Sequence, residues 1–177
     1  MRHPKEDIRM TLSPVGFVRS RIKIPMPSAA EEDLDPEARK ISIRAFRKEV
    51  KTTVSEIVID SGLNGILDGI EGFSHILVLF WPHLLTPEKR MVRQVHPMGR
   101  KDIPKQGVFA TRSPARPNPV LISVVSLIER EGNVLRVKGL DAVDGSPVID
   151  IKPYVGSYHD AENPTVPGWM QRLQEDL

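Results

Sequence analysis

The run Gly107-Val108-Phe109-Ala110-Thr111-Arg112-Ser113-Pro114-Ala115-Arg116-Pro117-Asn118-Pro119 gathers residues able to do binding chemistry. Arg112 and Arg116 stand four apart, which on a helix would place both on one face. Pro114, Pro117 and Pro119 exclude a helix, because each lacks an N–H and drives its predecessor into the extended region. The pattern predicts a stiff, extended loop presenting two guanidinium forks. Such forks suit carboxylates, phosphates and aromatic faces. A rigid loop also loses little freedom when it binds.

The loop closes a basic band. Residues 89–116 hold Lys89, Arg90, Arg93, Arg100, Lys101, Lys105, Arg112 and Arg116 against Asp102 alone, a local charge of +7 in a chain of net charge +2. The remainder is acidic, at −5. A basic band on an acidic body is the footprint of a polyanionic partner. A solvated loop with acids folded nearby would carry the same residues.

A second polar cluster lies further on. Asp141 precedes the turn pair Asp144-Gly145, and Asp150 and Lys152 put a carboxylate beside an amine. His83 follows Pro82 at the exit of an apolar run, and Tyr154 ends the segment that carries Lys152. Each also has a plain structural reading, as turn geometry, an exposed ion pair, a strand-end histidine or a core-edge aromatic. The sequence holds no glycine-rich phosphate loop, no dinucleotide fingerprint and no nucleophile elbow. His3, His75, His83, His96 and His159 are scattered, so no metal site is predicted. The absence of cysteine removes disulfides, thiolate nucleophiles and cysteine-ligated zinc, and fits a reducing, cytoplasmic setting.

These groups must be positioned by a single domain of 177 residues, 40% hydrophobic, in which 16 prolines favour strands and shaped loops over long helices. Residues 1–10 are charged without an apolar stretch, unlike a signal peptide. The longest apolar run, residues 76–82, is too short to span a membrane. Strands are expected over residues 12–19, 57–59, 76–81, 120–128, 134–140 and 148–154. In the last of these, period two puts Val148, Asp150 and Lys152 on one face, with Ile149 and Ile151 on the other. Residues 31–37 suggest an acidic surface loop. Asp35-Pro36-Glu37 is a helix start, and Ile43, Phe46 and Val50 follow at helical spacing; Ile41-Ser42-Ile43 and Thr52-Thr53-Val54 speak for strand instead. A short helical turn is expected within residues 63–71, and a final helix from Pro167 anchored by Trp169 and Leu173. The fold class is all-β or mostly β, with strand spacing suited to a barrel or sandwich.

In five blocks in order, residues 12–155 resemble the TrmO (YaeB-like) tRNA methyltransferase family. The blocks are Val15-Gly16-Phe17-Val18-Arg19-Ser20, Gly69-Ile70-Glu71-Gly72-Phe73-Ser74-His75, the 107–119 loop, residues 141–147, and Asp150-Ile151-Lys152-Pro153-Tyr154. The resemblance implies a small closed β-barrel with short peripheral helices. It also implies S-adenosylmethionine-dependent N6-methylation of threonylcarbamoyl-adenosine at tRNA position 37, by a homodimer with the cofactor near the subunit interface. By motif matching, Pro82, His83, Arg112, Ile122, Asp141, Val143, Asp144 and Gly145 would line the cofactor site. Asp144, Asp150 and Tyr154 are then the candidate catalytic groups, any of which could accept the N6 proton. Arg90, Arg93, Arg100, Lys101, Lys105, Arg116 and Lys152 would hold tRNA. The family's proline-arginine-glutamine-proline segment is replaced by Pro25-Met26-Pro27-Ser28, and by resemblance to the shorter members residues 156–177 are expected to be a C-terminal tail. Two alternatives remain: a methyltransferase of this fold acting on a small molecule or another RNA, and a non-enzymatic RNA-binding barrel. Aromatic content of 5% argues against a stacking platform for single strands.

Overall fold

The computed structural model describes residues 10–26 and 35–175. The expectations at residues 1–9, the greater part of the 31–37 loop, and Pro27-Ser28 of the replaced segment lie outside the described residues.

Six strands close a barrel: β1 (Gly16–Arg19), β2 (Val54–Ile59), β3 (His75–Phe80), β6 (Leu121–Glu131), β7 (Val134–Lys138) and β8 (Pro147–Pro153). Their order around the wall is β1-β2-β7-β6-β3-β8, and every neighbouring pair is antiparallel. Closure removes the free strand edges that would otherwise invite pairing with other chains. Val18, Ile57, Ile76, Val78, Val125, Leu135, Val137 and Val148 point inward and are almost completely buried. Each contributes about 1.5–3 kcal/mol by leaving water.

The period-two reading of β8 fails at one residue. Leu79 pairs with Asp150 but Phe80 pairs with Val148, so Ile149 is an extra residue in a β-bulge. The bulge resets the alternation. Val148 and Ile151 both face the core, while Asp150 and Lys152 lie outside it. Val148 therefore does not share a face with Asp150 and Lys152.

Between β1 and β2 runs the helix α1 (Pro36–Thr52), capped by the Asp35 carboxylate, which accepts from the backbone N–H groups of Glu37 and Ala38. The competition between helix and strand is decided here by burial. Ile43 is buried while Ile41 is exposed. A strand would have put both on one face. Val50 and Phe46 pack with Ile22 and Val143 in a second apolar cluster. A minor hairpin of β4 (Gln94–Val95) and β5 (Gln106–Gly107) organises the basic band. Two short helices follow the barrel, α2 (Gly156–His159) and α3 (Gly168–Glu175), the latter anchored by buried Leu173.

Candidate functional site

The register places the polar residues at opposite ends of the barrel. One end gathers the exit of β3, the start of β6, the exit of β7 and the start of β8. Trp81, Pro82, His83, Ser123 and the 139–146 turn meet there. The other end carries His75 and Tyr154, whose backbone N–H donates to the His75 carbonyl at 3.0 Å. The seven residues of β8 separate Tyr154 from the 141–145 turn by roughly 20 Å. Within one chain, Tyr154 does not join Asp144.

The 139–146 turn is pinned to the segment after β1. Asp144 accepts from the Ser20 backbone N–H at 2.9 Å and from Lys23 Nζ at 2.7 Å. Its own N–H donates to the Ile22 carbonyl, and that of Gly145 to the Val18 carbonyl, both at 2.8 Å. The Lys23 ammonium, followed by the Ser20 amide, holds the Asp144 carboxyl below its ordinary value of 3.8. A carboxylate so committed is a poor proton acceptor. It is well suited to holding the turn. A lowered folded-state pKa gives stability that is present above the ordinary value and lost as pH falls through the folded one. Asp144→Asn is therefore expected to lower the Tm slightly at pH 7, and the two proteins should converge as the pH falls below the ordinary carboxylate value. Equal Tm values for the two proteins at pH 7 would show that the clip carries no stability.

Arg112 and Asp141 converge on consecutive residues of β6. Arg112 Nη2 donates to the Ile122 carbonyl at 2.8 Å, and the Ser123 hydroxyl donates to Asp141 Oδ1. A guanidinium and a carboxylate from loops far apart in sequence are thus brought to one short stretch of wall, both exposed to solvent. His83 is also exposed, with Nδ1 at 3.4 Å from the hydroxyl of buried Ser146. Gly145 adopts φ +77°, a conformation that favours glycine, and a Cβ there would sit 3.8 Å from His83 Nε2. The Val143 side chain is buried against Ile22, Val50 and Phe46, which leaves only its backbone for a ligand.

Asp150 lies on the outer face of β8, in the cross-strand row Asp150–Leu79–Ile122 that ends at the Arg112 anchor. Its Oδ2 is 2.8 Å from Lys152 Nζ, and its Oδ1 accepts the Ile151 N–H at 2.9 Å.

The basic band is not uniformly available. Arg93, Lys101 and Lys105 are exposed. Arg100 pairs with Asp102, Nε to Oδ1 at 2.7 Å, and lowers the Asp102 pKa. Arg90 stacks over Trp81 at 5.1 Å from the ring centroid and donates to the Leu85 carbonyl, while its Nε is buried without a partner. Arg116 turns inward, donating from Nε to the Ser113 carbonyl at 2.7 Å and from Nη2 to the Thr111 carbonyl at 2.6 Å. The pair of outward forks expected on the proline loop is thus one outward fork, Arg112, and one internal brace, Arg116. The reason is local: the turn Val108–Ala110 and the loop that follows it aim the carbonyls of Val108, Thr111 and Ser113 at the Arg116 side chain. Sequence reading missed Ser20, Lys23, Ser123 and Trp81. Lys23 is 121 residues from its partner Asp144, and no spacing rule links them.

A concavity of about 390 Å³ opens at the other end of the barrel, lined by Asp60, Asn64, Leu67, Arg130 and Asn133 among others. Arg130 there is saturated by Asp68, Glu71 and the Leu67 carbonyl, so it is a cross-brace. Among the described residues no cluster of histidines and carboxylates could hold a metal ion, and no helix is long and apolar enough to cross a membrane.

Comparison with known proteins identifies the family of this fold. The family model for the tRNA-methyltransferase O N-terminal domain matches residues 44–161. A probable S-adenosyl-L-methionine-binding protein of Methanothermobacter thermautotrophicus is 43% identical over 157 residues, covering 89% of this chain and 96% of the relative. A tRNA (adenine(37)-N6)-methyltransferase of Mus musculus is 40% identical over 110 residues, 62% of this chain but 25% of the relative. A crystal structure of TrmO superposes with a TM-score of 0.65 at 28% identity, covering 92% of this chain. The chain spans 64% of the length of that solved protein. By the extent of these matches, it belongs to the tRNA-methyltransferase O N-terminal domain family.

Proposed function

We propose that this protein is an S-adenosylmethionine-dependent tRNA methyltransferase that modifies N6 of adenosine 37, with threonylcarbamoyl-adenosine as the modified form it accepts. The observation that carries the reading is the convergence of Arg112 and Asp141 on Ile122 and Ser123 of β6. S-adenosylmethionine is a zwitterion with an additional sulfonium cation, and it needs a fixed cation and fixed anions side by side. The donor set fits. Arg112 would hold the carboxylate, with Asp141 and the 141–145 backbone facing the cationic part and Pro82, His83 and Gly145 shaping the wall. When bound, the cofactor supplies a methyl group activated by the positive sulfur.

What this chain contributes beyond binding is position, which can supply much of the barrier reduction in a transfer between two held reactants. An acceptor for the N6 proton adds to it. Among the three candidates, Asp144 is committed to Lys23 and Ser20, and Tyr154 is at the far end. Asp150 is distinguished by its place, on the outer face in the row that ends at Ile122, although Lys152 Nζ and the Ile151 N–H engage it much as Lys23 and Ser20 engage Asp144. The Asp150 Oδ atoms would take the proton, with Lys152 orienting the carboxylate. The half-exposed Ile122 and Val124 beside this row support a homodimer that covers them. A tRNA substrate and the cysteine-free sequence together support a cytoplasmic location.

The test is calorimetric titration with S-adenosylmethionine, followed by methyl transfer to tRNA with and without threonylcarbamoyl-adenosine. Saturable binding and transfer to adenosine 37 are expected. Binding without transfer to any tRNA would favour another acceptor, and RNA binding without cofactor binding would favour a non-enzymatic barrel. A companion measurement addresses the basic band. Neutralising Arg93, Lys101 and Lys105 together is expected to weaken tRNA binding and to flatten its salt slope by roughly one unit per lost phosphate contact. An unaltered slope removes these residues from the interface.

A further inference from the structure

Phe109 is 81% exposed, although it sits in the best-braced part of the loop. The turn Val108–Ala110 that carries it is anchored by buried Val108, whose N–H donates to the Arg93 carbonyl at 2.9 Å. The Thr111 hydroxyl and N–H both return to the Val108 carbonyl, at 2.9 and 3.1 Å. Arg116 then clasps the carbonyls of Val108, Thr111 and Ser113 with one guanidinium. A phenyl ring is therefore held out into water by a turn with little freedom to fold it back. Exposed apolar area of this kind is unfavourable in the free protein. A rigid presenter is also what lowers the ordering cost of a contact made later.

We propose that Phe109 stacks on an unpaired nucleobase of the RNA, a reading that rests on the tRNA function proposed above. Charge selects this occupant over a second copy of the chain. The ring rises from a segment of charge +7. Exposed Arg93 is joined to it through the Val108 amide, and exposed Lys105 and Arg112 flank it in sequence. Another copy would bring the same positive surface against this one, whereas RNA brings phosphates for the cations and flat bases for the ring. A sequence with few aromatics argues against a platform of several rings. One ring, correctly presented, is enough to hold one base. Its place three residues before Arg112 puts the stacked base beside the proposed cofactor ligand, so Phe109 would help to fix the position of the anticodon loop at the site.

The experiment uses the full chain and an anticodon stem-loop RNA with 2-aminopurine at an unpaired purine position next to 37. The wild-type protein is expected to change the probe's fluorescence on binding. Phe109→Ala should abolish that change and weaken RNA binding by roughly 5- to 150-fold, the range found when an aromatic stacking partner is truncated. Phe109→Trp should restore binding and Phe109→Leu should not. The salt slope and the affinity for S-adenosylmethionine should be unchanged, because no phosphate or cofactor contact has been removed. Equal RNA affinity of Phe109→Ala and the wild type, in a protein that does methylate tRNA, would overturn the stacking role and leave the function standing. Full rescue by leucine would overturn it too, by showing a contact without stacking. Dissociation of oligomers by Phe109→Ala with RNA affinity intact would assign the ring to a second copy instead. A wild type that neither binds nor methylates tRNA would remove the functional reading and this inference together.

Discussion

Arg112→Ala is expected to raise the dissociation constant for S-adenosylmethionine by roughly 10- to 100-fold while leaving the fold intact. The size follows from the interaction lost: a hydrogen bond between charged groups is worth about 1.5–3 kcal/mol, and each 1.4 kcal/mol is tenfold in affinity. The fold should survive because Arg112 is exposed and has one tether, from Nη2 to the Ile122 carbonyl. Surface positions of this kind usually change stability by no more than about 0.5 kcal/mol. Arg112→Lys keeps the charge but loses the fork that reaches Ile122 and a carboxylate at once, so it should fall between the two. Calorimetry with both variants, beside a melting curve for each, separates a lost contact from a lost structure. Unchanged affinity in Arg112→Ala would end the assignment of this side chain to the cofactor, and with it the main support for placing the site at β6.

Strands are legible in the sequence where burial is simple. The β3 run, His75–Phe80, is apolar on both faces, and Val134–Lys138 alternates, so composition and period alone mark both. The bulge at Ile149 is not legible, because an inserted residue leaves no mark in composition and shifts every later side chain to the opposite face. The α1 segment is ambiguous because Ile41, Ile43 and the threonines at its end have strand propensity. The Asp35 cap and the buried face of Ile43, Phe46 and Val50 outweigh it.

The site divides in the same way. The types and rough positions of Arg112, Asp141 and Asp144 can be read from the sequence, but their partners cannot. Whether an arginine reaches outward depends on which carbonyls surround it. Arg112 and Arg116 are alike in composition and context, yet one faces solvent and the other closes on its own loop. Likewise the pairing of Asp144 with Lys23 exists only because the barrel brings the end of β1 against the turn before β8.

That closure has its weakest tolerance at Gly16, where substitution should have the largest effect on the fold. Gly16 pairs with Ile59 on one side and with Val148 on the other, so β1 completes the ring through it. A Cβ at this position would lie 2.2 Å from the Val58 carbonyl oxygen and 2.9 Å from the Ile59 Cα. Both are backbone atoms of β2, and neither can rotate away as a flexible side chain could. Gly16→Ala must therefore push β1 off β2, loosening the bonds of Val15 to Val148 and of Asp60 to Val15, at 2.8 and 2.9 Å. Overpacking of this kind costs about 1–3 kcal/mol or more, which for a chain of this size is a Tm decrease of roughly 2–12 °C. The damage should spread to the site, because the Val18 carbonyl two residues on accepts from Gly145, and Asp144 is held by the segment that follows. Gly72→Ala is the matched control, since a Cβ there meets nothing within 4 Å. Urea midpoints for the two variants, with cofactor affinity measured on each below its transition, would make the comparison. Equal midpoints would mean that the β1–β2 contact is looser than its geometry. A lower midpoint for Gly16→Ala with full cofactor affinity would mean that the turn keeps its shape without β1.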